Sequence, residues 1–146
     1  MNETQTNELC LRLEDQLCFP LYACAKEVVR RYTPLLEPLG ITYTQYIAMM
    51  VMWEHKSLSV KKLGKLLFLD SGTLTPMLKK MEKAGLVSRE RSRTDERMVI
   101  VSITAKGEEL QEKAAEIPAK MTQCVILESD EAMQLYTLLH KMMKTF

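Results

Sequence analysis

The chain has 146 residues, the length of one ordinary domain, and its 47% hydrophobic and 27% charged residues, with 5 Gly and 5 Pro, exclude a disordered or fibrous polymer. The uncharged run from Leu39 to Trp53 is broken by Gly40, Thr42, Thr44 and Gln45, too polar to span a bilayer, and the opening MNETQTNE has no secretory pattern; no membrane partner and a cytoplasmic location are expected. The net charge of +1 conceals a division: Lys56 to Lys106 carries 12 Lys or Arg against 5 Asp or Glu, net +7, and the remainder carries 8 against 14, net −6. A basic middle between acidic ends suits a centre that touches a polyanion and ends that do something else.

In chain order, a first helix is predicted from about Leu17 to Tyr32, where Leu17, Leu21, Cys24 or Ala25, Val28 and Tyr32 recur at helical spacing. Pro20 places its start just upstream, and Thr33-Pro34 and Glu37-Pro38 are expected to interrupt the chain beyond Tyr32. Thr42 or Thr44 caps a second helix that ends near His55-Lys56. Ser59 opens a third on the stripe Val60, Leu63, Leu66 and Leu67. After a turn at 69–72, Leu74, Met77, Leu78 and Met81 mark a fourth helix, stopped by Ala84-Gly85. Two extended stretches, 86–91 and 97–103, flank the polar tip 92–96 and read as a β-hairpin. Thr104 caps a long helix to about Ile126, and Ser129 or Asp130 caps a final one to about Met143.

Two short helices joined by a tight turn and followed by a hairpin give a mainly α fold with a small β-hairpin wing, a winged helix-turn-helix. The lobe covers about 42–104 within a single domain 1–146, flanked by helical segments over about 10–38 and 105–146. The fourth helix offers Ser71, Thr73, Thr75, Lys79 and Lys80, hydroxyls near its N-terminus and ammonium groups further along, suited to base edges and phosphates of double-stranded DNA. The hairpin carries Arg89, Arg91, Arg93 and Arg97, which suit a narrow groove or bidentate phosphate contact. One such basic residue is ordinarily a solvated surface charge; four arginines on one hairpin are not.

The run from Leu69 to Glu82, then Gly85-Leu86-Val87-Ser88-Arg89, then Asp95-Glu96-Arg97, resembles the recognition helix and wing of MarR-family transcriptional regulators. The resemblance covers essentially the whole chain. It implies a homodimer joined by its terminal helices on a pseudo-palindromic operator. Ser71 and Thr73 fall at groove-reading positions, Lys80 at a basic helix position, and Asp95 and Arg97 at paired wing positions, Asp95 orienting a neighbouring arginine.

Cys10, Cys18, Cys24 and Cys124 are too few and scattered for a disulfide scaffold and form no CxxC pair, and His55 and His140 have no ligand partners; no metal or cofactor is expected. Cys18 sits at a helix start, where an anionic thiolate is favoured, with Tyr22 one turn on. Taken alone, such a cysteine is more often packed than reactive. The segment Leu17-Cys18-Phe19-Pro20-Leu21-Tyr22, with Tyr32 and Tyr43 beyond, is similar to the OhrR-type organic hydroperoxide regulators, a branch of the MarR family. Pro20 departs from the aliphatic residue common there.

That resemblance implies that organic hydroperoxides oxidise Cys18 among Tyr22, Tyr32 and Tyr43, and that oxidation releases DNA. It also matches Cys124, 106 residues on, to the partner cysteine of two-cysteine members, which pair the two thiols across the dimer; other members wait for a small thiol. Cys24 is expected to pack between Ala23 and Ala25, and Met49, Met50 and Met52 to fill the core. Two rivals remain, a MarR-type repressor released by a small aromatic or phenolic ligand and a thiol peroxidase. The hairpin arginines have no task in a peroxidase, so no enzymatic activity is expected.

Overall fold

A computed structural model describes residues 11–146, which fall into two compact units, one ending at Ala115 and the other spanning Glu116–Phe146. In the first, a 3-10 turn (Leu13–Asp15) precedes α1 (Cys18–Leu36), and a second 3-10 turn (Glu37–Leu39) closes on Gly40 at φ 69°. Pro20 occupies the first turn, where an amide has no partner. Contrary to expectation, Thr33-Pro34 does not interrupt α1. Pro34 lies in the last turn, where its missing donor costs one hydrogen bond, and the Glu37 amide still reaches the Thr33 carbonyl.

α2 (Tyr43–His55) opens on a capping box: the Gln45 amide donates to Thr42 Oγ1 at 3.3 Å, and the Thr42 amide donates to Gln45 Oε1 at 3.0 Å. A short strand β1 (Ser57–Ser59) leads into α3 (Val60–Leu67), capped by Ser59, and α4 (Ser71–Lys83), capped by Asp70. Strands β2 (Val87–Arg91) and β3 (Val99–Ile103) follow, then α5 (Ala105–Ala114) with Thr104 as its cap. The antiparallel sheet has the order β1-β3-β2, with Ser57 opposite Ser102 and Arg91 opposite Val99. Strand β1 has no counterpart among the predicted elements, because three residues show no period; its partner lies some forty residues downstream. Arg97 falls in the loop instead of in the second strand.

The core collects Leu63 from α3, Leu74, Leu78 and Met81 from α4, Met49 and Met52 from α2, and Val101 from β3, all essentially inaccessible. Each such side chain contributes about 1.5–3 kcal/mol through removal from water. Met50, expected inside, is 46% exposed on the far side of α2. α5 packs with no room to spare at Gly107: an added Cβ would collide with the Leu86 carbonyl oxygen, and the Gly107 carbonyl accepts the Trp53 indole N–H at 2.8 Å. Gly107→Ala is therefore expected to cost about 1–3 kcal/mol or more and lower the melting temperature by several degrees, read by calorimetry.

The second unit corrects the expected helix over about 105–126. α5 stops at Ala114, and a separate α6 (Ile117–Thr122) begins beside Pro118, which has no amide for the Ala114 carbonyl four residues back. α7 (Ser129–Met143) is capped by Glu128, upstream of both predicted caps, and the Glu128 amide donates to Glu131 Oε2 at 2.9 Å. Among the described residues of α1 only Leu36 is buried, and of α7 none. Phe19, Leu21 and Val29 on α1, and Leu135, Leu138 and Met142 on α7, stand exposed.

Candidate nucleic-acid interface and thiol site

α4 divides cleanly into two faces. Leu74, Met77, Leu78 and Met81 face the core, and Ser71, Thr73, Lys79 and Lys80 face solvent, with Thr75 half-buried between them. Asp70 anchors the start: Oδ1 accepts the Thr73 amide at 2.8 Å and Oδ2 accepts the Thr73 hydroxyl at 3.5 Å. This turns a carboxylate that would repel phosphate into a cap, which leaves the hydroxyls and ammonium groups as the outward chemistry of the helix.

The four hairpin arginines are not equivalent. Arg91 Nη1 donates to the Glu96 carbonyl at 3.0 Å, and Arg93 is exposed on the loop. Arg89, expected to face a groove, is instead committed to Glu82 at the end of α4: its Nη2 and Nε donate to Glu82 Oε2 at 2.9 and 3.2 Å, and its amide donates to Oε1 at 3.3 Å. The Arg89 hydrogen bonds hold the Glu82 carboxyl below its ordinary value, against the opposing effect of burial. Asp95, expected to orient an arginine side chain, instead accepts the backbone amide of Arg97 at 3.0 Å, so it shapes the loop.

A cleft of about 730 Å³ opens between α3, the start of α4 and the wing, with Lys61, Lys65 and Arg97 among its lining and Phe68, Leu69 and Met98 as apolar wall. Lys61 and Lys65 were missed from the sequence. Their i,i+4 spacing on the exposed side of α3 was the available signal.

The thiol constellation splits in two. Cys18 is the first residue of α1 and exposed, with Tyr22 exposed one turn on. Tyr32 is fourteen residues along the same helix, about 21 Å away at 1.5 Å per residue. There it joins a separate cluster: its ring centroid is 4.8 Å from that of Tyr43 and 5.7 Å from that of Tyr46, and Tyr46 lies 6.2 Å from Trp53. Burial pushes Tyr32, Tyr43 and Tyr46 above the ordinary phenol range, with neighbouring phenols adding to it for Tyr32 and Tyr46, so all three remain hydrogen-bond donors at neutral pH. Tyr46 escaped the sequence reading because its spacing is that of a core position.

Cys24, expected to pack, is exposed on α1. Cys124 lies in the turn beyond α6 instead of within a helix, its Sγ 3.5 Å from the Lys120 carbonyl. Cys10 lies outside the described residues. Among the described residues, no three His, Cys, Asp or Glu side chains gather as metal ligands, and no helix is long and apolar enough to cross a membrane.

A helix-turn-helix backed by a three-stranded sheet, with an arginine-bearing hairpin beside it, is the architecture of winged-helix regulators of transcription. Residues 30–114 match the family described as transcriptional regulator SarA/Rot. The chain is 48% identical over 135 residues to the organic hydroperoxide resistance transcriptional regulator of Bacillus subtilis (strain 168), covering 92% of both. It is 42% identical over 123 residues to the regulator SarZ of Staphylococcus saprophyticus, covering 84% of both. Reduced AbfR bound to DNA superposes with a TM-score of 0.79 at 33% identity, over 97% of this chain and 98% of that one. Disulfide-formed AbfR superposes with 0.67 at 32% identity, over 98% of each. The chain thus belongs to the SarA/Rot family of MarR-type transcriptional regulators, which also takes in relatives named as organic hydroperoxide resistance regulators.

Proposed function

We propose that this chain is a homodimeric repressor that holds a pseudo-palindromic DNA operator while Cys18 is reduced and releases it when an organic hydroperoxide oxidises that thiol. The observation that carries the reading is the exposed Cys18 at the first turn of α1, in a chain nearly half identical to an organic hydroperoxide resistance regulator across almost its full length. The bare apolar sides of α1 and α7 support a second copy as their cover. Pairing two α1 helices antiparallel about a two-fold axis near Ala25 sets Cys18 opposite the partner's Tyr32, which reunites the thiol with the tyrosine cluster that a single chain holds about four turns away.

In the first step the Cys18 thiolate attacks the terminal peroxide oxygen; the O–O bond breaks, the alkoxide leaves and takes a proton to become an alcohol, and Cys18 becomes a sulfenic acid. Cys124 of the partner subunit, as a thiolate, then attacks that sulfur, forming an intersubunit disulfide as the S–O bond breaks and hydroxide leaves, which takes a proton from solvent to become water. A disulfide holds its two Cα atoms within about 7 Å, so the subunits rotate and the two recognition helices lose their ~34–36 Å spacing on DNA. Reduced, DNA-bound AbfR superposes with a TM-score of 0.79 and disulfide-formed AbfR with 0.67, which supports a rearrangement of AbfR between those two forms.

In the DNA-bound form Ser71, Thr73 and Thr75 face base edges, Lys79 and Lys80 face phosphates, and Arg91, Arg93 and Arg97 serve the wing. Lys61 and Lys65 hold the backbone strand that passes through the cleft beside Arg97. Lys61→Ala and Lys65→Ala are each expected to lower the slope of log affinity against log salt by about 0.9. The decisive test is non-reducing mass measurement after treatment with cumene hydroperoxide, paired with anisotropy on duplex DNA. A covalent dimer, or a Cys18 adduct, appearing together with DNA release supports the reading; an unmodified Cys18 in released protein defeats it.

A further inference from the structure

We infer that Glu82 and Arg89 form a strut between the recognition helix α4 and the wing, so that Arg89 positions the wing and does not touch DNA; this rests on the DNA-binding reading above. Arg89 gives three hydrogen bonds to one carboxylate, at 2.9, 3.2 and 3.3 Å, and its side chain is 21% exposed against 39% for Glu82. The fork ties both the backbone and the side chain of β2 to the end of α4. Beyond it the hairpin stands free: Arg91 and the loop residues 93–98 are all exposed.

The lever explains why one pair matters. From Arg89 to the strand end at Arg91 the hairpin rises about 7 Å at roughly 3.3 Å per residue, with the loop 92–98 beyond it. A tilt of about 10° at the base then moves Arg91 by about 1 Å and the loop by more, enough to take a donor out of hydrogen-bond range. A wing loosened at Arg89 cannot keep Arg93 and Arg97 in one groove while α4 reads the next. The pair also settles the charge of Glu82, which sits within the net +7 stretch and would repel phosphate if Arg89 did not neutralise it.

Strut and plain electrostatics predict opposite signs for Glu82→Gln. The test uses two probes, a duplex enriched by the wild-type protein from a random pool and an unselected duplex, with anisotropy across a salt series. The expected result for Glu82→Gln is about tenfold weaker binding to the selected duplex, with an unchanged salt slope and unchanged affinity for the unselected one. Arg89→Lys keeps the charge, loses the fork, and is expected to weaken selected binding in the same way. The double exchange Glu82→Arg with Arg89→Glu is expected to recover most of the loss. Tighter binding of Glu82→Gln to both duplexes overturns the strut, as does a slope lower by about 0.9 in Arg89→Ala, the mark of a phosphate contact. Wild-type protein that enriches no sequence at all overturns the DNA-binding reading itself, a result distinct from either.

Discussion

Cys18→Ser is expected to bind its operator as the reduced wild-type protein does and no longer to let go when an alkyl hydroperoxide is added. Serine preserves the size and polarity of the side chain, and Cys18 is exposed at the first turn of α1, so the exchange disturbs no packing in the chain. What it removes is the sulfur that loses electrons. Wild-type affinity is expected to fall at least tenfold on oxidation, which requires about 1.4 kcal/mol of preference for the released geometry, and the variant to change by less than twofold. Cys124→Ser separates the two steps: its Cys18 still reaches the sulfenic acid, trapped by dimedone in mass measurement, but no covalent dimer forms. Release that persists in Cys18→Ser points to a small aromatic ligand as the trigger. Sustained hydroperoxide consumption with a thiol reductant, without binding to duplex DNA, points to a peroxidase.

The second large effect is expected at α7. Leu135, Leu138 and Met142 follow one another at i, i+3 and i+7 on one side of a helix that buries nothing in the single chain, and Leu138 is 59% exposed. Such a stripe costs solubility unless a second copy covers it. Leu138→Glu places a charge in that contact, and burying an unpaired carboxylate is prohibitive. Sedimentation is expected to show a dimer for the wild type and a monomer for the variant. Operator affinity is expected to fall by about 10²–10⁴, the advantage of two linked half-site contacts over one. The helical spectrum of the DNA-binding lobe persists, because its core residues Leu63, Leu74, Leu78 and Met81 belong to the other compact unit. A dimeric Leu138→Glu variant with undiminished affinity would remove α7 from the dimer contact.

Much of the lobe was legible from local signals. Thr42, Ser59 and Thr104 announced helix starts and do cap them, and Leu74, Leu78 and Met81 announced the buried face of α4. These signals work because a cap or a stripe involves residues within about one or two turns of each other. Pro118 was equally visible as a breaker, yet the helix capped by Thr104 was expected to run past it to about Ile126, which put Cys124 on a helix that ends before it.

Sequence by itself determined the helix-turn-helix order, the charge division, the exposed reading face of α4 and the presence of a cysteine at a helix start. Tertiary structure alone decided that β1 completes the sheet, that Arg89 belongs to Glu82, that Lys61 shares a cleft with Arg97, and that Tyr32 gathers with Tyr43 and Tyr46 far from Cys18. The physical reason is that backbone capping and hydrophobic period act within one element, whereas the partner of a guanidinium or a phenol depends on where separate elements cross, and no local pattern records that crossing.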